Sequence, residues 1–195
     1  MARLLLFRHG QSTWNAEGRW QGWADPPLSS LGEEQARAAA DRLAGSGLTA
    51  VVSSDLLRAR QTAAIIAERL GLDVLDVEPD LRERNIGDWS GLTTAEIEQG
   101  WPGALAAWRA GAFESPPNGE AHSDILARVM AVLERLSVLD GTLLVVTHGG
   151  VIHLVQGHLG CTTPRMGNLC GRWLETGLAP GELVLVDDAP AGIAL

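Results

Sequence analysis

The chain has 195 residues, 46% of them apolar and 20% charged, a size and mixture typical of one globular domain. Its net charge is −9 and its basic side chains are all arginine, so the surface repels polyanions, and neither nucleic acid nor an anionic membrane is an expected partner. The lack of lysine excludes a phosphate loop of the G-x-x-x-x-G-K type and Schiff-base catalysis, both of which need that amine.

Apolar runs suited to buried strands fall at 2–7, 49–52, 73–77 and 142–147, and the stretches between them carry helical periodicity. A first helix is expected to open at Ser30, with Glu33 completing a capping box, and to stop near Gly45. A second is expected from about Ser54 to Leu70, ended by Gly71. Over 90–120 the pattern weakens, with Pro102, Pro116 and Pro117 breaking it into the short helices and loop of a lid. An amphipathic helix over 124–139 follows, then a shorter one after Gly149-Gly150, and strands at 172–177 and 183–186 are placed at a sheet edge. This alternation predicts a single α/β domain over 1–195 with a parallel, helix-covered sheet.

Cys161 and Cys170 are too few for a disulfide framework. No charged and then apolar leader precedes Leu4, and no apolar run reaches the roughly 18 to 20 residues of a spanning helix. A cytoplasmic location without membrane insertion is the expectation, and a homodimer is compatible with the sequence.

In an open parallel sheet, ligands gather outside the carboxyl ends of the strands. Arg8-His9, Ser53-Ser54 and His148 fall at such ends, and Arg58, about one turn into the second helix, can reach back to them. Two arginines and two histidines on one rim suit phosphoryl chemistry. Guanidinium forks match phosphate oxygens, and an imidazole can act as nucleophile or acid. Gly10 lets the backbone turn sharply and come close to an anion.

Simpler readings exist for each residue alone. A histidine after a strand is commonly structural, Arg58 could be a solvated cation, and Arg82-Glu83-Arg84 is also what an exposed charged loop looks like. His122 reads as surface, and His153 and His158, spaced i, i+5, point to different helix faces and make no zinc pair. The Cys161-to-Arg165 spacing is too short for a C-x5-R phosphatase loop, and no G-x-S-x-G elbow occurs. Seven tryptophans without a tyrosine are core and lid packing individually; together they suggest aromatic walls suited to a sugar ring or another sizeable leaving group.

Considered jointly, the motifs resemble the histidine phosphatase superfamily, also called phosphoglycerate mutase-like. Its signature R-H-G-[EQ]-[ST]-x-x-N matches Arg8-His9-Gly10-Gln11-Ser12-Thr13-Trp14-Asn15. Four further matches follow in the family's order. They are Leu28-Ser29-Ser30-Leu31-Gly32, Ser53 to Ala59 with Gln61-Thr62-Ala63, Leu81-Arg82-Glu83 with Gly87-Asp88-Trp89-Ser90-Gly91, and Val146-Thr147-His148-Gly149-Gly150.

The resemblance implies a three-layer α/β/α sandwich with a mostly parallel central sheet, and a phosphatase that hydrolyses a small-molecule phosphomonoester without a cofactor or metal. By the same resemblance His9 is the nucleophile, and Arg8, Arg58 and His148 hold the phosphoryl oxygens. Glu83 is the general acid and then the base, and Asn15, Gln21, Gly22 and Gly149 contact phosphate or substrate. Two other functions stand as alternatives. One is a cofactor-dependent phosphoglycerate mutase, disfavoured because 92–120 is short and holds only Arg109 as a cation. The other is a non-catalytic phosphate-binding module, which would need no nucleophile. One departure from the family stands out: a P-x-G-E-S segment is replaced by Pro117-Asn118-Gly119-Glu120-Ala121, without the serine.

Overall fold

The computed structural model describes residues 2–161, 166–177 and 183–186; Arg165 lies outside them. Among the described residues six strands form one sheet: β1 (Arg3–Arg8), β2 (Ala50–Ser54), β3 (Asp73–Glu78), β4 (Thr142–Thr147), β5 (Gly171–Thr176) and β6 (Leu183–Val186). Their spatial order is β3-β2-β4-β1-β5-β6. The first four pair in parallel, and β5 and β6 add antiparallel beyond β1. The helices are α1 (Thr13–Ala16), α2 (Ser30–Leu43), α3 (Leu57–Leu70), α4 (Thr94–Gly100), α5 (Ala104–Arg109), α6 (His122–Ser137) and α7 (Gly149–His158).

Side chains alternate across a strand, so a central strand with both faces covered must be apolar at every position. Leu4 and Leu6 of β1 join Val52, Leu143 and Val145 in a core closed by α6 and α7. Leu5 and Phe7 join Val51, Leu144 and Val146 in a second core closed by α2 and α3. The result is the expected three-layer sandwich. A third cluster, built on Ile86, Trp89, Ile97 and Leu105, makes the lid its own small core.

Several boundaries differ from the sequence expectation. The cap of α2 is Ser29, whose Oγ accepts the Gly32 N–H at 3.0 Å. Glu33 instead pairs with Arg37 one turn on, so no capping box forms. β2 stays extended through the buried Ser54, which delays α3 to Leu57 and makes Arg58 its second residue. α6 opens and closes two residues earlier than expected. β3, at the uncovered edge of the sheet, is exposed from Asp73 to Val77.

Candidate active site

The register of β1 against β4 sets Arg8 opposite Thr147, so the next residues, His9 and His148, leave the sheet side by side. Their rings stand 5.2 Å apart, edge to face. α2 packs on one face of the sheet and α7 on the other, and this divergence opens a crevice at the strand ends.

His9 is buried, and its hydrogen bonds specify its tautomer. Nδ1 lies 2.6 Å from the carbonyl of Gly10, which can only accept, so Nδ1 carries the proton. Nε2 lies 3.2 Å from the Nε–H of Arg58, which can only donate, so Nε2 presents its lone pair. Burial, then the charges of Arg58 and Arg8, hold the imidazole pKa well below its ordinary value. His9 is therefore neutral and nucleophilic at neutral pH. Its backbone is fixed by an N–H bond to Thr147 O and by Asn168 Nδ2, which donates to its carbonyl. Gly10 answers to packing rather than to an unusual turn: its φ is not positive, and a Cβ there would lie 2.6 Å from Gly32 O in the first turn of α2.

Arg58 is 1% exposed. Burial pushes its pKa down to about 10, opposed in part by Glu83 and Asp25, so it stays charged at neutral pH. Nη1 donates to Ala24 O and Nη2 to Gly22 O, at 2.8 and 2.9 Å. With the bond to His9, three of its five N–H donors are used, and two are left for an anion. Arg8 donates to Met166 O. Gly149 lets α7 start against Arg8, since a Cβ there would come 3.1 Å from Arg8 Nε.

His148 is wholly buried, and its pKa is held well below the usual value by burial first and then by Arg58. Its Nε2 lies 2.9 Å from Ser54 Oγ, and its Nδ1 has no hydrogen-bond partner among the described residues.

Glu83 belongs to the site and not to a solvated loop. Oε2 accepts the Gly150 N–H in the first turn of α7 at 3.0 Å, and Oε1 accepts the Arg84 N–H at 2.9 Å. A Cβ at Gly150 would overlap Glu83 Oε1, so the glycine pair after His148 serves the approach of both Arg8 and Glu83. Asn15 uses Oδ1 to accept the Ser12 N–H. Gln21 Oε1 accepts the Ser12 hydroxyl. Gly22, at φ +53°, supports Arg58 through its carbonyl.

Eight of the nine sequence-predicted residues line one cleft of about 1180 Å³, and His148 sits behind His9. That volume holds far more than a phosphate. The outer walls carry Arg19, Trp20, Arg84, Trp108, Arg109 and Phe113. Arg84 stacks over Trp108 and Arg109 over Trp20. The tryptophans divide: Trp89 is fully buried beneath the lid, Trp20 and Trp108 join lid core to cleft wall, and Trp23 donates to Glu83 O. His122, exposed, lies at the cleft beside Arg84, and His153 and His158 line its outer part.

Sequence reasoning left roles unassigned at three contacts. Thr62 Oγ1 accepts the Gly10 N–H and donates to Arg58 O; it lies in the quoted Gln61-Thr62-Ala63 motif, which was signal enough. Ser54 falls at a strand end and in a quoted motif, but its bond to His148 on the neighbouring strand is a tertiary pairing; Asn168, which comes from beyond α7, is placed by tertiary pairing alone.

Compared with known families, the chain matches the histidine phosphatase superfamily (branch 1) over residues 4–170. The chain belongs to that superfamily. It is 42% identical over 167 residues to glucosyl-3-phosphoglycerate phosphatase of Mycobacterium tuberculosis, covering 80% of this chain and 74% of that one. It is 39% identical over 184 residues to a 2,3-bisphosphoglycerate-dependent phosphoglycerate mutase of Methylocella silvestris, covering 90% and 88%. Among solved structures, a mycobacterial glucosyl-3-phosphoglycerate phosphatase in complex with VO3 superposes with a TM-score of 0.81 at 39% identity, over 89% of this chain and 92% of that one. The superfamily's phosphomonoester hydrolysis is the activity of this chain.

Proposed function

We propose that the chain hydrolyses a small phosphomonoester through a phosphohistidine on His9, without a metal, and that its substrate carries a second anionic group and a sugar-sized leaving group. The observation that carries the reading is the His9 tautomer, Nδ1–H on Gly10 O and an Nε2 lone pair beside buried Arg58.

In the first step the Nε2 lone pair forms a bond to phosphorus as the bond to the ester oxygen breaks, and the Glu83 carboxyl gives its proton to that oxygen. The charge that develops on the imidazole is met by the Gly10 carbonyl. In the second step water attacks phosphorus, its proton passes to the Glu83 carboxylate, and the P–N bond breaks to release phosphate. One group that gives and regains a proton satisfies microscopic reversibility. Arg8, Arg58 and His148 would hold the equatorial oxygens, where fixed donors act most strongly. Asn15, Gln21, Gly22 and Gly149 would complete the cradle.

Arg8 and Arg58, both lining the cleft with Arg58 bonded to His9, support arginine as the source of positive charge. The relative named glucosyl-3-phosphoglycerate phosphatase suggests a glycosylated phosphoglycerate, and the Trp20–Trp108 wall with Arg109 suits its ring and carboxylate. Against the mutase, chain length carries nothing, since the matched mutase is 88% covered; the single lid cation, Arg109, supports hydrolysis. A cytoplasmic location fits a chain whose two cysteines are too few for a disulfide framework, and no helix among the described residues is long and apolar enough to cross a membrane. A homodimer is supported by the exposed Val74, Leu75 and Val77 on the open sheet edge.

The test is a panel of phosphomonoesters assayed for inorganic phosphate, with and without excess EDTA. Release is expected to persist under chelation. Complete loss restored by a divalent ion would sink the metal-free mechanism, and efficient interconversion of 2- and 3-phosphoglycerate would promote the mutase.

A further inference from the structure

The altered P-x-G-E segment is unused by the chemistry above, yet it grips the loop that carries Glu83. Gly87 and Gly119 allow the two stretches to touch: a Cβ on Gly87 would overlap Pro117 O, and one on Gly119 would lie 2.8 Å from Asn85 O. Asp88 N–H donates to Pro117 O, and Glu120 N–H to Asn85 O. Glu120 Oε2 in turn accepts the Asn85 N–H.

The centre of this strap is Arg128 on α6, whose side chain is 14% exposed and paired with Glu120 at 13%. Nε and Nη2 donate to the two carboxylate oxygens of Glu120 at 2.7 and 2.9 Å. Nη1 donates to Asp80 O and Arg82 O, at 2.6 and 2.9 Å, and Nη2 also donates to Glu83 O at 3.1 Å. All five guanidinium donors are thereby used, three of them on carbonyls of the segment that delivers Glu83. Only a planar fork can make this set of bonds; an ammonium has three donors and no fixed plane.

We propose that Arg128 and Glu120 are positioning residues for the general acid: they fix the backbone of 80–85, so that the Glu83 carboxyl, tied to the Gly150 and Arg84 N–H groups, points at the leaving oxygen. This rests on the phosphatase reading above. The pair touches neither substrate nor phosphorus. Its loss should spare formation of phospho-His9 from an ester whose leaving group needs no proton and slow it where the ester oxygen must be protonated, because a misplacement of about 1 Å can cost on the order of 10²-fold.

The experiment compares Arg128→Lys and Glu120→Gln with wild type on an alkyl phosphate, such as β-glycerol phosphate, and on p-nitrophenyl phosphate, whose leaving group needs little protonation. For either variant kcat on the alkyl ester is expected to fall about 10- to 100-fold, with p-nitrophenyl phosphate changed less than about 3-fold. KM should hold, and acid-labile phosphate should still label the protein. In a Glu83→Gln background Arg128→Lys should add no further selectivity. If one variant fails to fold, the other decides. Equal losses on both esters, or no loss in a folded variant, overturn the positioning role while leaving the phosphatase intact. A wild type that releases phosphate from neither ester overturns both.

Discussion

The strand-end rim and the lid are built on opposite plans. In the rim, polar groups are buried and tied one to another: His9 to Gly10 and Arg58, His148 to Ser54, Glu83 to the start of α7. In and around the lid, large rings pack edge to face, with Trp89 5.5 Å from Trp108 and 6.1 Å from Trp20, and Arg84 and the lid's Arg109 lie on ring faces at the cleft. Buried polar groups with fixed partners hold one geometry, because any other leaves a group unsatisfied. Aromatic walls with stacked arginines offer area and charge without dictating a bond. On the proposed mechanism the difference gives phosphoryl transfer to the sheet and the choice of leaving group to the lid, so changes in the rim should affect every ester and changes in the lid should sort among them.

The sharpest break comes at His9. His9→Ala removes the covalent route, so turnover of alkyl and aryl esters alike should vanish, along with acid-labile labelling; residual turnover near the wild-type rate would refute the nucleophile. Glu83→Gln should lower alkyl phosphate hydrolysis about 10²- to 10⁴-fold, the usual contribution of a general acid, with a far smaller effect on p-nitrophenyl phosphate. Equal effects on the two esters would remove Glu83 from protonation of the leaving oxygen and place its contribution in the shared hydrolysis of phospho-His9.

The buried imidazoles also leave a mark on stability. The folded pKa values of His9 and His148 lie well below 6.5, whereas the unfolded chain titrates near 6.5. Unfolding below that pH takes up protons, so stability is greatest above about 6.5 and declines as pH falls toward the folded values. Calorimetry at pH 5.5 should show a net uptake of protons from this pair, with a part from His122, whose pKa is also lowered. Uptake near zero would mean that the two rings are charged in the fold. In the lid, Arg109→Ala should raise KM for a phosphoglycerate ester roughly 5- to 10-fold, about 1 to 1.4 kcal/mol, and leave p-nitrophenyl phosphate unmoved. A parallel change on both esters would make the lid cation part of the phosphate cradle instead.

The same contrast governs what the sequence reveals. β1 and β4 are legible because a strand covered on both faces has no freedom to be polar, and the polar residues that end them stand out against the apolar run. Arg8, His9, Arg58, Glu83 and His148 are readable through motifs, local strings whose order survives any folding. Ser54, Asn168 and Arg128 act on partners 94, 159 and up to 48 residues away, and no local pattern encodes such pairings. The apolar content of β3 reads as a strand, but its exposure depends on which strands lie beside it. Gly10 is visible in the motif, while its reason, the close passage of the Gly32 carbonyl, is a property of the packed helix.

The smallest effect tests the one place where the chain departs from its family's pattern. Ala121 stands where the family's segment has serine, and it is the N-cap of α6, already extended at φ −67° and ψ 154° and making no side-chain cap bond. A serine hydroxyl there would accept an N–H of the first turn, at N2 or N3, one of the donors a helix leaves unsatisfied at its start. The missing hydroxyl thus leaves α6 without a side-chain cap. Ala121→Ser should stabilise the fold by about 1 kcal/mol, which for a chain of this size raises Tm by roughly 2 to 4 °C. Because residue 121 is not among those lining the cleft, kcat on both esters should stay at the wild-type level. An unchanged Tm would show that the first turn of α6 is already satisfied, and a change in selectivity between the esters would move position 121 from the scaffold into the site.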